Sequence, residues 1–152
     1  MADLDLGQAR RGIGPAEVDR WLDRLVGWAE VDSLCQSVFG AGELLSDWPA
    51  WQGLIRRLAR DANINKRRAA LVLLTRPVRQ SDDGRLSALA FESIETLKAE
   101  RAIIVAKAVS WLLRSLTERH ASEVRRYVDA QAASLPAVAV RETRRKLETG
   151  RK

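Results

Sequence analysis

The 152-residue chain holds one cysteine, one histidine, one methionine and one tyrosine. The single thiol, Cys35, has no internal partner for a disulfide, and no cluster of cysteine and histidine offers a metal set. No metal or cofactor is therefore expected, and a reducing cytoplasm is the expected compartment. Long apolar runs are missing too. The opening stretch, MADLDLGQARRGIGPAE, lacks the apolar core of a secretory signal. No segment approaches the ~20 apolar residues of a membrane-spanning helix. Strict apolar/polar alternation, the mark of a half-buried strand, is not found either. The one histidine, His120, falls at the end of a helical pattern, where a C-terminal cap is the expectation rather than a catalytic base.

What is present is apolar and basic. Hydrophobic residues make up 46% of the chain and charged residues 30%, enough for a core under a solvated surface. The formal net charge is +6 and the isoelectric point about 10.2. Such a balance fits a polyanionic partner or a solvated basic surface. Twenty-one of the 26 basic residues are arginine, the side chain best suited to two-point contact with phosphate.

Apolar residues recur at helical spacing throughout. Val18, Trp21, Leu22 and Leu25 form one stripe after Pro15, and Gly27 loosens or ends that helix. The pattern predicts further helices over 30–39, from about 49, and over 64–76, 83–98, 101–118, 121–132 and 137–147. Asn63 is placed to cap the helix that begins at 64. Helix pairs open near 49, 84 and 121, roughly every 35 residues, which is the range of tandem helical repeats. Pairs of this kind stack into a solenoid with the second helices lining one side. The expectation is an all-α repeat domain over 15–148, with a flexible segment over 1–14 and a disordered tail over 149–152. A compact helical bundle is the alternative.

Helical-wheel geometry, at 100 degrees per residue, picks out side chains that leave the core rows. In 101–118 the core row is Val105, Val109, Leu112 and Leu116, with Lys107 and Arg114 opposite. Trp111 falls about 40 degrees from Lys107, at the edge of that basic face. In 64–76, Asn65, Arg68, Val72 and Arg76 share a sector. Asp32 lies one residue past the apolar Val31. Trp28 either continues the Trp21–Leu25 stripe or stands in the turn after Gly27; a helix running through would put Trp28 and Asp32 on one face. Trp21 and Trp51 lie on core stripes, and Trp48 is placed as a staple before its helix.

Three stretches, WAEVD, NKRRAALVLL and VAKAVSWLLRSL, stand in an order and at gaps that resemble the AlkD-like family of bacterial alkylpurine DNA glycosylases. The resemblance runs from about residue 20 to residue 147. It implies a HEAT-like repeat solenoid of stacked antiparallel helix pairs. It also implies removal of cationic N3- or N7-alkylated purines from duplex DNA, with the damaged base left stacked. Matched by motif, Trp28 and Trp111 are the tryptophans and Asp32 the aspartate around the lesion's deoxyribose. Arg68, Arg76, Arg114 and Lys107 become the phosphate-facing cations. The partners implied are duplex DNA and its alkylated purines, with no membrane. Two departures follow. Family members carry additional N-terminal repeats that complete the DNA-binding surface, so the resemblance implies a shortened groove and weaker binding; no partner that would supply those helices is identifiable. An aromatic residue before the family's RRAA segment is Asn65 here.

Two other functions fit parts of this pattern. A non-enzymatic nucleic-acid-binding repeat protein would keep the basic groove and need neither Trp28 nor Asp32. A protein-interaction scaffold would use the arginines only for solvation.

Overall fold

The computed structural model describes residues 14–25 and 27–150. The segment expected to be flexible falls outside these except for Gly14, and of the expected tail residues 151–152 do. Among the described residues there are eight helices and no strand: α1 (Pro15–Arg24), α2 (Trp28–Val38), α3 (Ala41–Ser46), α4 (Trp48–Leu58), α5 (Ile64–Gln80), α6 (Gly84–Leu97), α7 (Ile103–Gln131) and α8 (Ala137–Thr149).

Helix starts are written plainly in the sequence. Three helices open with glycine followed three residues later by glutamate. In each the carboxylate reaches back to the glycine N–H, at 2.9 Å for Glu17–Gly14, 3.3 Å for Glu30–Gly27 and 2.6 Å for Glu43–Gly40. This is the glutamate half of a capping box, and it satisfies a donor that the first turn leaves orphaned. Asn63 caps α5 by accepting from the Asn65 N–H at 2.8 Å, and Asp83 does the same for Arg85 at 2.9 Å. At the other end of the chain, Gly150 takes the left-handed conformation (φ 72°) that terminates α8. Gly40 is fixed by crowding. A Cβ there would stand 2.6 Å from Gln80 Oε1, which accepts the Ala41 N–H.

The helices form an all-α repeat fold in two layers. One layer runs α1, α4, α6 and the second part of α7; the other runs α2, α5, the first part of α7, and α8. The core lies between them. Leu22, Val31, Leu44, Leu54, Ile55, Leu71, Leu74, Ile94, Leu112, Leu116 and Val124 are fully enclosed. Phe39 and Trp51 pack ring to ring with centroids 5.0 Å apart. Helix α5 is central, flanked by α2 and α7, and even its Lys66 and Arg68 are buried. Lys66 Nζ ties α1 down through Asp23 at 2.7 Å and Asp19 at 3.1 Å.

The repeat shows in the contacts between layers and neighbours. Asp32–Arg68, Arg68–Ile104, Gln36–Val72, Arg79–Ser115 and Arg56–Glu92 are all bonded pairs 36 residues apart. Two features depart from the sequence expectation. The glycine-rich link before residue 48 contains the short helix α3. The helices expected over 101–118 and 121–132 meet at His120, whose φ of −132° and ψ of 38° are not helical, so α7 is two helices joined across a bend as the spacing predicts; the role of His120 is what differs. His120 caps no carbonyl. Its Nδ1 meets Glu123 at 3.3 Å, and its Nε2 is buried without a partner among the described residues.

Candidate functional site

Leu25 leaves the helical conformation and Gly27 restarts it as the cap of α2, so Trp28 is the first residue of a new helix. Its ring does not continue the α1 stripe. It is half exposed, at 50%. Trp28, Asp32 and Gln36 then follow one another at one-turn intervals along α2, on one face.

Asp32 meets Arg68 across the gap between α2 and α5. The guanidinium donates Nε to Oδ1 at 2.9 Å and Nη2 to Oδ2 at 2.8 Å. Two parallel charge-assisted bonds fix both planes. Nη1 of Arg68 donates to the Ile104 carbonyl at the start of α7. The guanidinium carbon also sits 5.2 Å from the centre of the Trp28 ring, a cation–π contact. Arg68 thus binds three helices together. Its side chain is 7% accessible and that of Asp32 is 16%, so the carboxylate is the outer end of the pair.

Outward of this pair lies a pocket of about 280 Å3, lined by Trp28, Arg68, Ile103, Ile104 and Lys107. Trp28 and Ile103, the latter 63% exposed, are the large apolar side chains left open on the described surface. One turn beyond Lys107 on α7 comes Trp111, partly buried against the core. It lines a smaller pocket with Arg79, Arg114, Ser115, Glu118 and Lys146.

Between the two pockets runs a row of arginines held by neutral groups. Arg76 donates to the Gln36 carbonyl at 2.9 Å. Arg79 donates to Ser115 Oγ at 3.3 Å and lies 3.5 Å from Gln36 Oε1. Arg114 Nε donates to Ser110 Oγ at 3.1 Å. Gln36 is itself held, its amide donating to Thr75 Oγ1 at 2.6 Å and to the Val72 carbonyl at 3.2 Å. Besides Glu118, helix α8 supplies a carboxylate to this stretch. Glu142 accepts from Ser110 at 2.7 Å and pairs with Lys107 at 3.5 Å. Burial pulls its pKa upward, but the Ser110 bond and the charges of Lys107 and Arg114 outweigh that and hold it below the ordinary glutamate value.

A half-open tryptophan, a pinned carboxylate and a row of arginines without carboxylate partners suit an anionic polymer carrying a cationic centre. The family model described as DNA alkylation repair enzyme matches residues 9–147, most of the chain. The chain belongs to the DNA alkylation repair enzyme family. DNA is accordingly its substrate, and alkylation repair the process it serves. No curated protein matches the chain.

Against this family, the residues singled out by sequence fall into two groups. Trp28, Asp32 and Arg68 touch one another, and Lys107 joins them at the first pocket. Trp111 and Arg114 line the second pocket, and Arg76 lies beside Gln36 on the stretch between. Arg68 differs most from expectation. A wheel for α5 alone puts it on an open basic sector, whereas α2 and α7 close over it and its donors go to Asp32 and Ile104. Residues missed from sequence are Gln36, Arg79, Ile103, Ile104, Glu142 and Lys146. The 36-residue register finds one of them directly, since Asp32 leads to Arg68 and Arg68 to Ile104.

Proposed function

We propose that this DNA alkylation repair protein is a glycosylase that hydrolyses the N-glycosidic bond of cationic N3- or N7-alkylated purines in duplex DNA. The observation that carries the reading is Asp32, a part-open carboxylate held in both oxygens by Arg68 and set one turn from the half-exposed ring of Trp28.

An alkylated purine already carries positive charge and leaves readily. The costly species is the oxocarbenium sugar that forms as the bond breaks. A carboxylate beside that sugar stabilises the growing charge and orients the attacking water. Arg68 reduces the net charge of the pair and itself lines the pocket beside Trp28. Its bidentate grip keeps the Asp32 carboxylate in place, so little reorganisation is needed at the moment of reaction. The face of Trp28 adds attraction for a cation through the ring quadrupole, and Trp111, one turn beyond Lys107, shapes the far edge of the site. Arg76, Arg114 and Lys107 grip phosphates and position the duplex without reading its sequence. Arg68 acts as the positioning residue for Asp32 and adds its charge to the same surface.

The test is release of 7-methylguanine and 3-methyladenine from methylated duplex DNA by the purified chain. Release well above spontaneous depurination is the expected result. Retained DNA binding with no release would assign the arginine row to a non-enzymatic nucleic-acid-binding protein and the Asp32–Arg68 pair to holding helices together.

A further inference from the structure

The pocket at Trp111 is built differently from the one at Trp28. It has a volume of about 60 Å3, room for a small tetrahedral anion. Three successive helices of one layer each send a cation into it: Arg79 from α5, Arg114 from α7 and Lys146 from α8. Glu118 is the only carboxylate in its wall, and it stands 3.8 Å from Lys146. Arg79 and Arg114 are pinned by the hydroxyls of Ser115 and Ser110, and neither makes an ion pair among the described residues. Two fixed guanidinium groups and an ammonium group thus face one small space, and the two carboxylates near them, Glu118 beside Lys146 and Glu142 behind Ser110, leave it net positive. Water-filled, such a space concentrates anions.

We propose that this pocket is a phosphate seat, holding one backbone phosphate of a nucleic acid through Arg79, Arg114 and Lys146. Arg79 and Lys146 are absent from the set that sequence pattern picks out. The seat deepens the DNA-binding part of the function proposed above and rests on it. Arg79 donates through the nitrogens it does not commit to Ser115, and Lys146 closes the seat from α8. The seat lies two turns along α7 from Lys107, a rise of about 10 Å. The strand is therefore gripped at a point apart from the Trp28–Asp32 pocket, which fixes its direction across the layer. A phosphate from DNA and a free phosphate ion share this chemistry, and the experiment separates them.

Binding of undamaged duplex DNA is measured for the full chain by fluorescence anisotropy across a salt series, so excision plays no part in the readout. Arg79→Gln and Lys146→Gln are each expected to lower the log–log salt slope by about one unit, and the double variant by about two. Arg56→Gln, on the opposite layer, leaves the slope unchanged. Arg79→Lys keeps the charge and keeps the slope, and Lys146→Gln alone carries the test should circular dichroism show Arg79→Gln unfolded. A double variant with the wild-type slope overturns the seat, even if the chain excises alkylpurines. Slope loss in a chain that excises nothing supports the seat and sinks only the enzyme reading. In the second arm, emission of Trp111, taken as the difference from Trp111→Phe, is followed with duplex DNA and with sodium phosphate at constant ionic strength. A response to duplex at micromolar concentration, reached by phosphate only at far higher concentration, is expected. A response to phosphate with none to DNA overturns the nucleic-acid source.

Discussion

Removing the Asp32 carboxylate leaves the Arg68 guanidinium buried with only the Ile104 carbonyl and the Trp28 ring for company. Breaking one side of a buried ion pair costs about 3 kcal/mol, a large share of the ~5–15 kcal/mol by which a domain is stable. Asp32→Ala is expected to lose about that much in urea unfolding. In a double-mutant cycle with Arg68→Ala the two residues should couple by at least ~1 kcal/mol. Additive effects would mean that the observed bonds contribute little, and that Asp32 is held by helix geometry alone. While Trp28 was left open between the Trp21–Leu25 stripe and the turn after Gly27, Asp32 was legible in sequence because it lies one residue past the apolar stripe of a short helix. The burial of Arg68 was not. A wheel describes one helix, and what holds Arg68 comes from Asp32 and Ile104, 36 residues away on either side in the chain.

At the scale of the helix, Glu142 ties α8 to the first part of α7 through Ser110 and Lys107. Its folded pKa is depressed, so the stability it contributes is present above the ordinary glutamate value of 4.5 and is lost as pH falls through the lower folded value. Glu142→Gln keeps the Ser110 bond and removes the charge. The variant should lack that part of the acid loss, and above pH 4.5 it should be less stable by about 1 kcal/mol, read by thermal melts from pH 3 to 7. The same change frees Lys107 and relieves Arg114, so duplex DNA should bind severalfold tighter with a steeper salt slope. Unchanged affinity would show that Lys107 contacts no phosphate. Most helices were readable from their apolar stripes, and α5 also from Asn63, whose cap is a local bond. The break at His120 was readable too, since the helix expected over 101–118 ends before it and that over 121–132 begins after it. Helix α3 was not, six residues being too few for a periodic pattern to declare itself.

At the scale of the whole molecule, an offset of 36 residues, seen in the Asp32–Arg68, Arg68–Ile104, Gln36–Val72 and Arg79–Ser115 pairs, sets three helices side by side, each with its own row. Trp28, Asp32 and Gln36 lie on α2; Arg68, Arg76 and Arg79 on α5; Lys107, Trp111 and Arg114 on α7. Sequence periodicity gave the spacing only roughly, since turns and the α3 insertion blur it, while the bonded pairs define it. This stacking, rather than any one motif, brings a carboxylate from one repeat under an arginine from the next and beside a cation row from the third. No helix among the described residues is long and apolar enough to cross a membrane. The net charge of +6 fits the use of these rows on a polyanion.

The most direct measurement is the single-turnover rate of 7-methylguanine release from duplex DNA by the wild-type chain and by Asp32→Asn, both checked for folding at the assay temperature. Asn keeps the size of the side chain and one acceptor oxygen for Arg68 while removing the charge. Loss of charge stabilisation in the transition state should slow release on the order of 100-fold or more, with binding to undamaged duplex nearly unchanged. Equal rates from the two proteins would contradict a catalytic carboxylate at Asp32 and leave it as the counterion of Arg68.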